Sequence, residues 1–255
     1  MGKSKDLASG AAYQDQTESD TRYVNTAGDT MTGNLQSTEL VANNAGNNTN
    51  IRVQNTASGS GSSDGFVIQN ATNSKVYLWN YENSDVLFGT NSIERMKIDG
   101  SGRVTKPNQP AFEAYVATGS SAVLPTGIHK FSSSSAFNSH VFTNINFNIG
   151  SHYNSSNSRF TAPAAGRYLI YGGVATSSAS SSAYMSYEFY ISGTRKADGW
   201  NAKPGGYHKE SSWRIFNLAA NDYVEPGYEN GSAMQVLSQG STNNNYIYFG
   251  GYFLG

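Results

Sequence analysis

The sequence predicts an all-β protein: an extended N-terminal segment, a β-rich shaft and a C-terminal jelly-roll β-sandwich. Three observations predict it. Aromatic residues make up 13% of the 255 residues, including 17 Tyr and 12 Phe, and they stand with β-branched residues in short runs. Gly, Asn, Ser and Asp, the residues that make turns, separate those runs. Toward the C-terminus the runs lengthen and alternate between aromatic and small or polar side chains, the period of a strand with one buried face.

Residues 1–36 are polar and read as extended, with Ser19 placed to cap a single helical turn over 19–24. Residues 37–108 carry a ladder of short strand candidates at 51–54, 65–69, 75–79, 85–88 and 96–98. Strands this short bury little surface in one copy, so the ladder needs a partner sheet. Three identical chains wound together would supply it, and a small independent β domain is the other reading. Residues 109–255 begin after Lys106-Pro107-Asn108. Strand candidates there are 111–116, 128–131, 141–149, 167–172, 184–191, 213–218, 223–228, 233–237 and 246–254. That many strands in one unit predict a two-sheet jelly roll. A unit of this size hides roughly 70% of its unfolded surface, enough for a self-sufficient core.

Composition excludes several functions. The net charge of −1 leaves no excess of Lys and Arg to displace counterions from nucleic acid. With no Cys there are no disulfides, thiolate nucleophiles or Cys-based zinc sites, and stability must come from burial and association.

Two stretches carry family resemblances. Tyr23-Val24-Asn25-Thr26-Ala27-Gly28-Asp29-Thr30-Met31-Thr32-Gly33-Asn34-Leu35 is, from its residues alone, a glycine turn followed by a short strand. It resembles the virion-anchoring end of trimeric bacteriophage tail fibres. That implies an anchor carried by Tyr23, Val24, Gly28, Asp29, Met31 and Gly33; a tail that takes shape only on a partner is the alternative. The run from Glu94 to Val104 is similar to one recurring in marine phage fibres just before a head domain. In the last region, Pro110-Ala111-Phe112, Asn148-Ile149-Gly150-Ser151-His152-Tyr153, the run from Ser158 to Tyr168 and the closing Tyr248-Phe249-Gly250-Gly251-Tyr252-Phe253-Leu254 resemble the complement-type globular head, a relative of the tumour-necrosis-factor jelly roll. The resemblance implies a homotrimer whose aromatics, Tyr168, Tyr248 and Phe253 among them, face neighbouring subunits. No Gly-X-Y repeat precedes the head, so the β ladder stands in place of a collagen stalk.

Enzyme chemistry finds little support. His129, His140, His152 and His208 show no His-x-His pairing of the kind seen at iron-bearing phage tips, and His208 reads as a surface residue at a strand edge. Glu225-Pro226-Gly227-Tyr228-Glu229, with Asp222 nearby, reads as solvated carboxylates on a turn rather than a glycosidase pair across a cleft. Gly59-Ser60-Gly61-Ser62-Ser63-Asp64-Gly65 fits no nucleotide fingerprint and reads as a flexible loop. No loop has the Asp spacing of a calcium site. No catalytic residue, cofactor or metal is expected.

The best candidate for contact with a target is the long connection 193–207, which carries Arg195, Trp200, Lys203 and Tyr207. Flat aromatic faces beside forked donors suit a sugar or an acidic group. The competing reading tucks Trp200 back into the barrel or across a subunit boundary. Residues 154–157 and 240–245 could flank such a site.

Met1-Gly2-Lys3-Ser4-Lys5-Asp6 is followed by no apolar run, and no segment nears the ~20 apolar residues that span a bilayer. The resemblances therefore imply a soluble protein assembled in the cytoplasm of a host bacterium and carried in the virion. Its expected domains are an anchor (1–36), a trimeric shaft (37–108) and a jelly-roll head (109–255). Expected partners are two further copies, a tail, baseplate or adaptor protein, and a host surface polysaccharide or outer-membrane receptor. A structural fibre whose head docks another virion protein is the alternative.

Overall fold

A computed structural model describes residues 48–116, 123–131, 142–178, 183–196, 201–203, 206–237 and 247–255. The anchor candidates between Tyr23 and Gly33 lie outside the described residues. Twenty strands and no helix are found among those described. The chain divides into two compact units, one ending at Tyr81 and one running from Glu82 to Gly255.

In the first unit, β1 (Thr49–Val53), β2 (Phe66–Asn70) and β3 (Val76–Asn80) form an antiparallel sheet in that order. Strand alternation gives it two unlike faces. Ile51, Ile68 and Leu78 align on one, Arg52, Val67 and Trp79 on the other. The 59–65 segment, expected to be flexible, is tied down. Asp64 accepts the Gly61 N–H at 2.6 Å, and the Gln54 amide donates to the Gly61 carbonyl at 2.7 Å.

The second unit opens with β4 (Val86–Thr90), β5 (Ile93–Ile98) and β6 (Val104–Thr105), a three-stranded sheet in chain order. Asn91 and Ser92 join β4 to β5 with φ of 52° and 58°. Positive φ at both central residues is the type I′ geometry whose twist matches a tight hairpin.

The rest is a sandwich. Its strands are β7 (Ala111–Tyr115), β8 (Val123–Leu124), β9 (Gly127–Lys130), β10 (Asn144–Ile149), β11 (Tyr153–Asn154), β12 (Arg159–Thr161) and β13 (Gly166–Ser178). They continue with β14 (Ala183–Ile191), β15 (Thr194–Lys196), β16 (Asn201–Lys203), β17 (Gly206–Leu218), β18 (Tyr223–Asn230), β19 (Met234–Val236) and β20 (Tyr248–Phe253). One sheet runs β10-β7-β20-β13-β19-β8, with β17 also on β13. The other runs β11-β12-β18-β14-β15, with β16 on β14 and β9 on β18. The pairings nest: β7 with β20, β12 with β18, β13 with β17 and β14 with β15. Successive pairs fall in alternate sheets, so the chain wraps as a rolled-up hairpin. This is a jelly roll.

The core lies between the sheets. Phe112, Tyr168 and Phe249 come from the first, Phe160, Tyr187, Phe189 and Tyr228 from the second. Phe112 stacks on Phe160 with centroids 4.7 Å apart, and Phe189 meets Phe249 at 6.4 Å. Aromatic contacts of this kind add to the burial term rather than replace it.

Three expectations need correction. Tyr168 faces no neighbouring subunit. It is wholly buried in its own core, donates its hydroxyl to the Ala164 carbonyl at 2.8 Å and packs under Phe253 at 4.9 Å. On β13 the even-numbered residues point inward, and 168 is even.

The 193–207 connection is not one long loop either. β15 and β16 both pair with β14, and β17 has begun by Gly206.

Finally, Glu225-Pro226-Gly227 lies within the strand expected over 223–228 and not on a turn. Pro226 pairs opposite Phe189, and its carbonyl accepts the Phe131 N–H at 3.0 Å. The N–H that proline lacks would point to that same edge, at the gap between β9 and β12, where no ladder bond is lost.

Candidate functional site

The outward side of the β10-β7-β20-β13-β17 sheet is unusually aromatic. Register places Tyr248 opposite Tyr115, Leu169 opposite both Tyr252 and Ile215, and Tyr171 opposite Trp213, all outward. Tyr171 stacks on Tyr252 at 6.0 Å, Phe147 meets Tyr252 at 5.7 Å, and Lys209 lies 5.6 Å over the Tyr248 ring. Gly250 permits this lattice, because a Cβ there would collide with the Tyr171 ring. Trp213 is 71% exposed and Ile215 55%, so the β17 end of the face is apolar and open. Glu113 is a carboxylate within the patch. It accepts the Tyr171 hydroxyl at 2.7 Å and the Asn146 amide at 2.6 Å. Burial, reinforced by Glu113, pushes the Tyr171 phenol well above its ordinary value.

The outward side of the opposite sheet is ionic. Glu188 on β14 is fully buried, as Glu225 on β18 nearly is. Charges out of water must be paired. Arg195 reaches back across the tight β14–β15 turn, where Ser192 and Gly193 take φ of 46° and 85°. Its Nε and Nη2 each lie 2.5 Å from a Glu188 oxygen, and Nη2 also donates to Glu229. Those bonds, Glu188 first, hold the guanidinium above its usual value. Glu225 takes Lys130 at 2.8 Å and Arg159 at 3.1 Å, and Arg159 also lies 3.8 Å over the Tyr223 ring. Glu225 is thus clamped in a sheet, not solvated on a turn. Each of its two oxygens is engaged by a cation, Oε2 by Lys130 and Oε1 by Arg159.

Of the residues expected to touch a target, Arg195 is absorbed in this network. Lys203 belongs to β16 on the same sheet. Tyr207 is 81% exposed on β17 of the other sheet, opposite Ser177. Trp200 lies outside the described residues. Arg195 and Tyr207 therefore stand on opposite faces of the sandwich. His208 is half-buried on the inward side of β17, not on the surface, and among the described residues its Nε2 has no hydrogen-bond partner.

Sequence reasoning missed the aromatic face of β17 and the Glu188–Arg195–Glu229 network. The first had a signal: in 213–218 apolar residues occupy both parities, as Trp213 and Ile215 alternate with Phe216 and Leu218.

No protein-family model matches the chain, and no curated protein matches it. Among solved structures, the globular domain of zebrafish complement 1qA protein is similar to 58% of this chain over 98% of its own length, at 11% identity and a TM-score of 0.39. Murine APRIL is similar to 57% of this chain over 99% of its own, at 12% identity and a TM-score of 0.37. The strand pairing itself defines the second unit as a jelly-roll protein.

Proposed function

We propose that the chain is a bacteriophage tail fibre subunit, a homotrimer anchored through 1–36 and binding the host surface with its C-terminal head. The observation that carries this reading is exposed apolar surface in both units. In the first, Val53 is 62% and Val76 71% exposed on the same face as Ile51, Ile68 and Leu78. In the second, Trp213, Ile215 and Tyr252 extend a face that already carries Tyr171 and Tyr248. Monomeric soluble proteins rarely leave patches of this kind uncovered. Two further copies would cover them, as the resemblance of Tyr23–Leu35 to trimeric fibres implies.

The mechanism is adhesion rather than catalysis. A shallow sugar site of millimolar Kd yields only ~4 kcal/mol. Three copies on one tip raise avidity by ~10² to 10⁴ with no new contact. The second reading, an adaptor whose head docks another virion protein, is favoured by the exposed Trp213, Ile215 and Tyr252, since extended apolar patches mark protein–protein contacts as readily as receptor sites.

Light scattering of the full chain at micromolar concentration tests assembly, and a monomer overturns the proposal. Saturable binding of the labelled trimer to a panel of bacterial cells supports host adhesion. A trimer that binds none of them but captures phage tails supports the adaptor.

A further inference from the structure

The second face of the first unit carries a cleft. Val67, 2% exposed, is its floor; Gln69, Tyr77, Trp79 and Tyr81 complete a cavity of about 220 Å³. Tyr77 and Trp79 have ring centroids 6.2 Å apart at 70°, and Trp79 and Tyr81 6.2 Å at 54°. Neither pair is stacked face to face, and Trp79 is half exposed.

Polar groups border the rings. Gln69 donates to Asn50 Oδ1 at 2.7 Å, which uses one of the amide's two donors and leaves its carbonyl outside that bond. Arg52 lies 5.3 Å over Tyr81 and is held there by donating to the Asp64 carbonyl at 2.8 Å. The cavity lining includes no acidic side chain among the described residues.

We propose that this cleft is a carbohydrate site taking a single sugar ring, neutral or acidic, with its C–H face on Trp79 and Tyr77 and its hydroxyls toward Gln69. Pyranose rings are amphipathic in the way this wall is: an apolar face ringed by donors and acceptors. A purely apolar guest would desolvate the Gln69 carbonyl and offer it no donor, which is unfavourable. The lining offers a cation no carboxylate. The volume lies below the ~300 to 1,000 Å³ of drug-sized pockets, so one ring fills it. The sheet's other face, carrying Ile51, Ile68 and Leu78, has no such mixture and belongs to assembly. The site lies in a different unit from the head and stands whether or not the head binds a receptor.

The test is saturation-transfer NMR and Trp fluorescence on the full chain. Methyl β-glucopyranoside, methyl α-mannopyranoside, N-acetylglucosamine and glucuronate are titrated through the millimolar range. At least one binds saturably, with a loss of about tenfold or more in Trp79→Ala and in Gln69→Leu and none in Val123→Ala. Far-UV circular dichroism identifies the folded variants; if Trp79→Ala does not fold, Gln69→Leu decides. Absence of saturable binding to all four sugars, or binding that survives in either folded variant, overturns the proposal.

Discussion

Tyr171 donates its hydroxyl to Glu113 at 2.7 Å, joining β13 to β7 across the intervening strand β20 on the outward face of the jelly roll. The bond ends on a carboxylate set among aromatic rings. Hydrogen bonds to charged groups contribute about 1.5–3 kcal/mol. Tyr171→Phe is therefore expected to destabilise by roughly 1.5 kcal/mol. Glu113→Gln, which keeps an acceptor but loses the charge, should cost less. Urea titrations at one fixed protein concentration check this, since concentration shifts apparent stability when subunits associate. A Glu113→Gln variant as stable as the unsubstituted protein would remove the charge from the explanation.

Seven tyrosines, at 153, 168, 171, 187, 190, 228 and 248, have phenols raised above the ordinary 10.0, in each case chiefly by burial. The folded state holds them protonated while the unfolded chain ionises near pH 10. Their contribution is fully present below that pH and falls as pH rises above it. Alkaline titration should show a cooperative loss of far-UV signal above pH 10, with a phase of phenolate absorbance rising in the same step. A smooth absorbance curve completed before the far-UV signal moves would contradict it.

Arg195 neutralises a carboxylate, Glu188, that is fully buried. Replacing it by Met leaves Glu188 buried and uncompensated, with Ser186 as its remaining partner at 2.8 Å. Removing one member of a buried pair costs about 3–5 kcal/mol. The double variant Arg195→Met with Glu188→Leu should recover much of that loss, because the charge goes with its partner. Thermal unfolding of both variants checks it; a double variant no more stable than the single one argues against the pairing.

The strands that could be read from sequence were those whose alternation has one apolar parity. Tyr184 to Ile191 shows it, with Met185, Tyr187 and Phe189 inward and Ser186 and Glu188 outward. β17 was foreseen only from Trp213, because Tyr207 to Ser212 mixes ring, charge and hydroxyl with no apolar period. Glu225-Pro226-Gly227 carries local turn chemistry, and its pairing with Phe189 on one side and with β9 on the other makes it a strand. The Arg195 network joins β14, β15 and β18, and Glu229 lies 34 residues from Arg195. No local pattern encodes a contact at that separation, and reading 193–207 as one long connection passes over the turn signal in Ser192-Gly193.

On the proposed fibre reading, deleting 1–36 should leave assembly intact, since the exposed apolar faces lie in the described residues beyond it. Light scattering of the truncated chain should still give a trimer, while co-sedimentation with fibreless virions should be lost. A truncated chain that sediments with virions as well as the full one would move the anchor elsewhere.

The outward apolar end of β17 gives the sharpest test of assembly. Trp213 and Ile215 point away from the core, so replacing both by Arg creates no cavity and leaves Tyr168, Phe216 and Leu218 packed as before. In a monomer, exchanging exposed side chains changes stability by only about 0.5 kcal/mol. In a subunit interface the same change places two charges in an apolar contact with no partner, which costs several kcal/mol for each. The double variant is therefore expected to keep its far-UV spectrum and lose its trimer mass. The aromatic face would lose its assigned role if the variant stayed trimeric with unchanged melting.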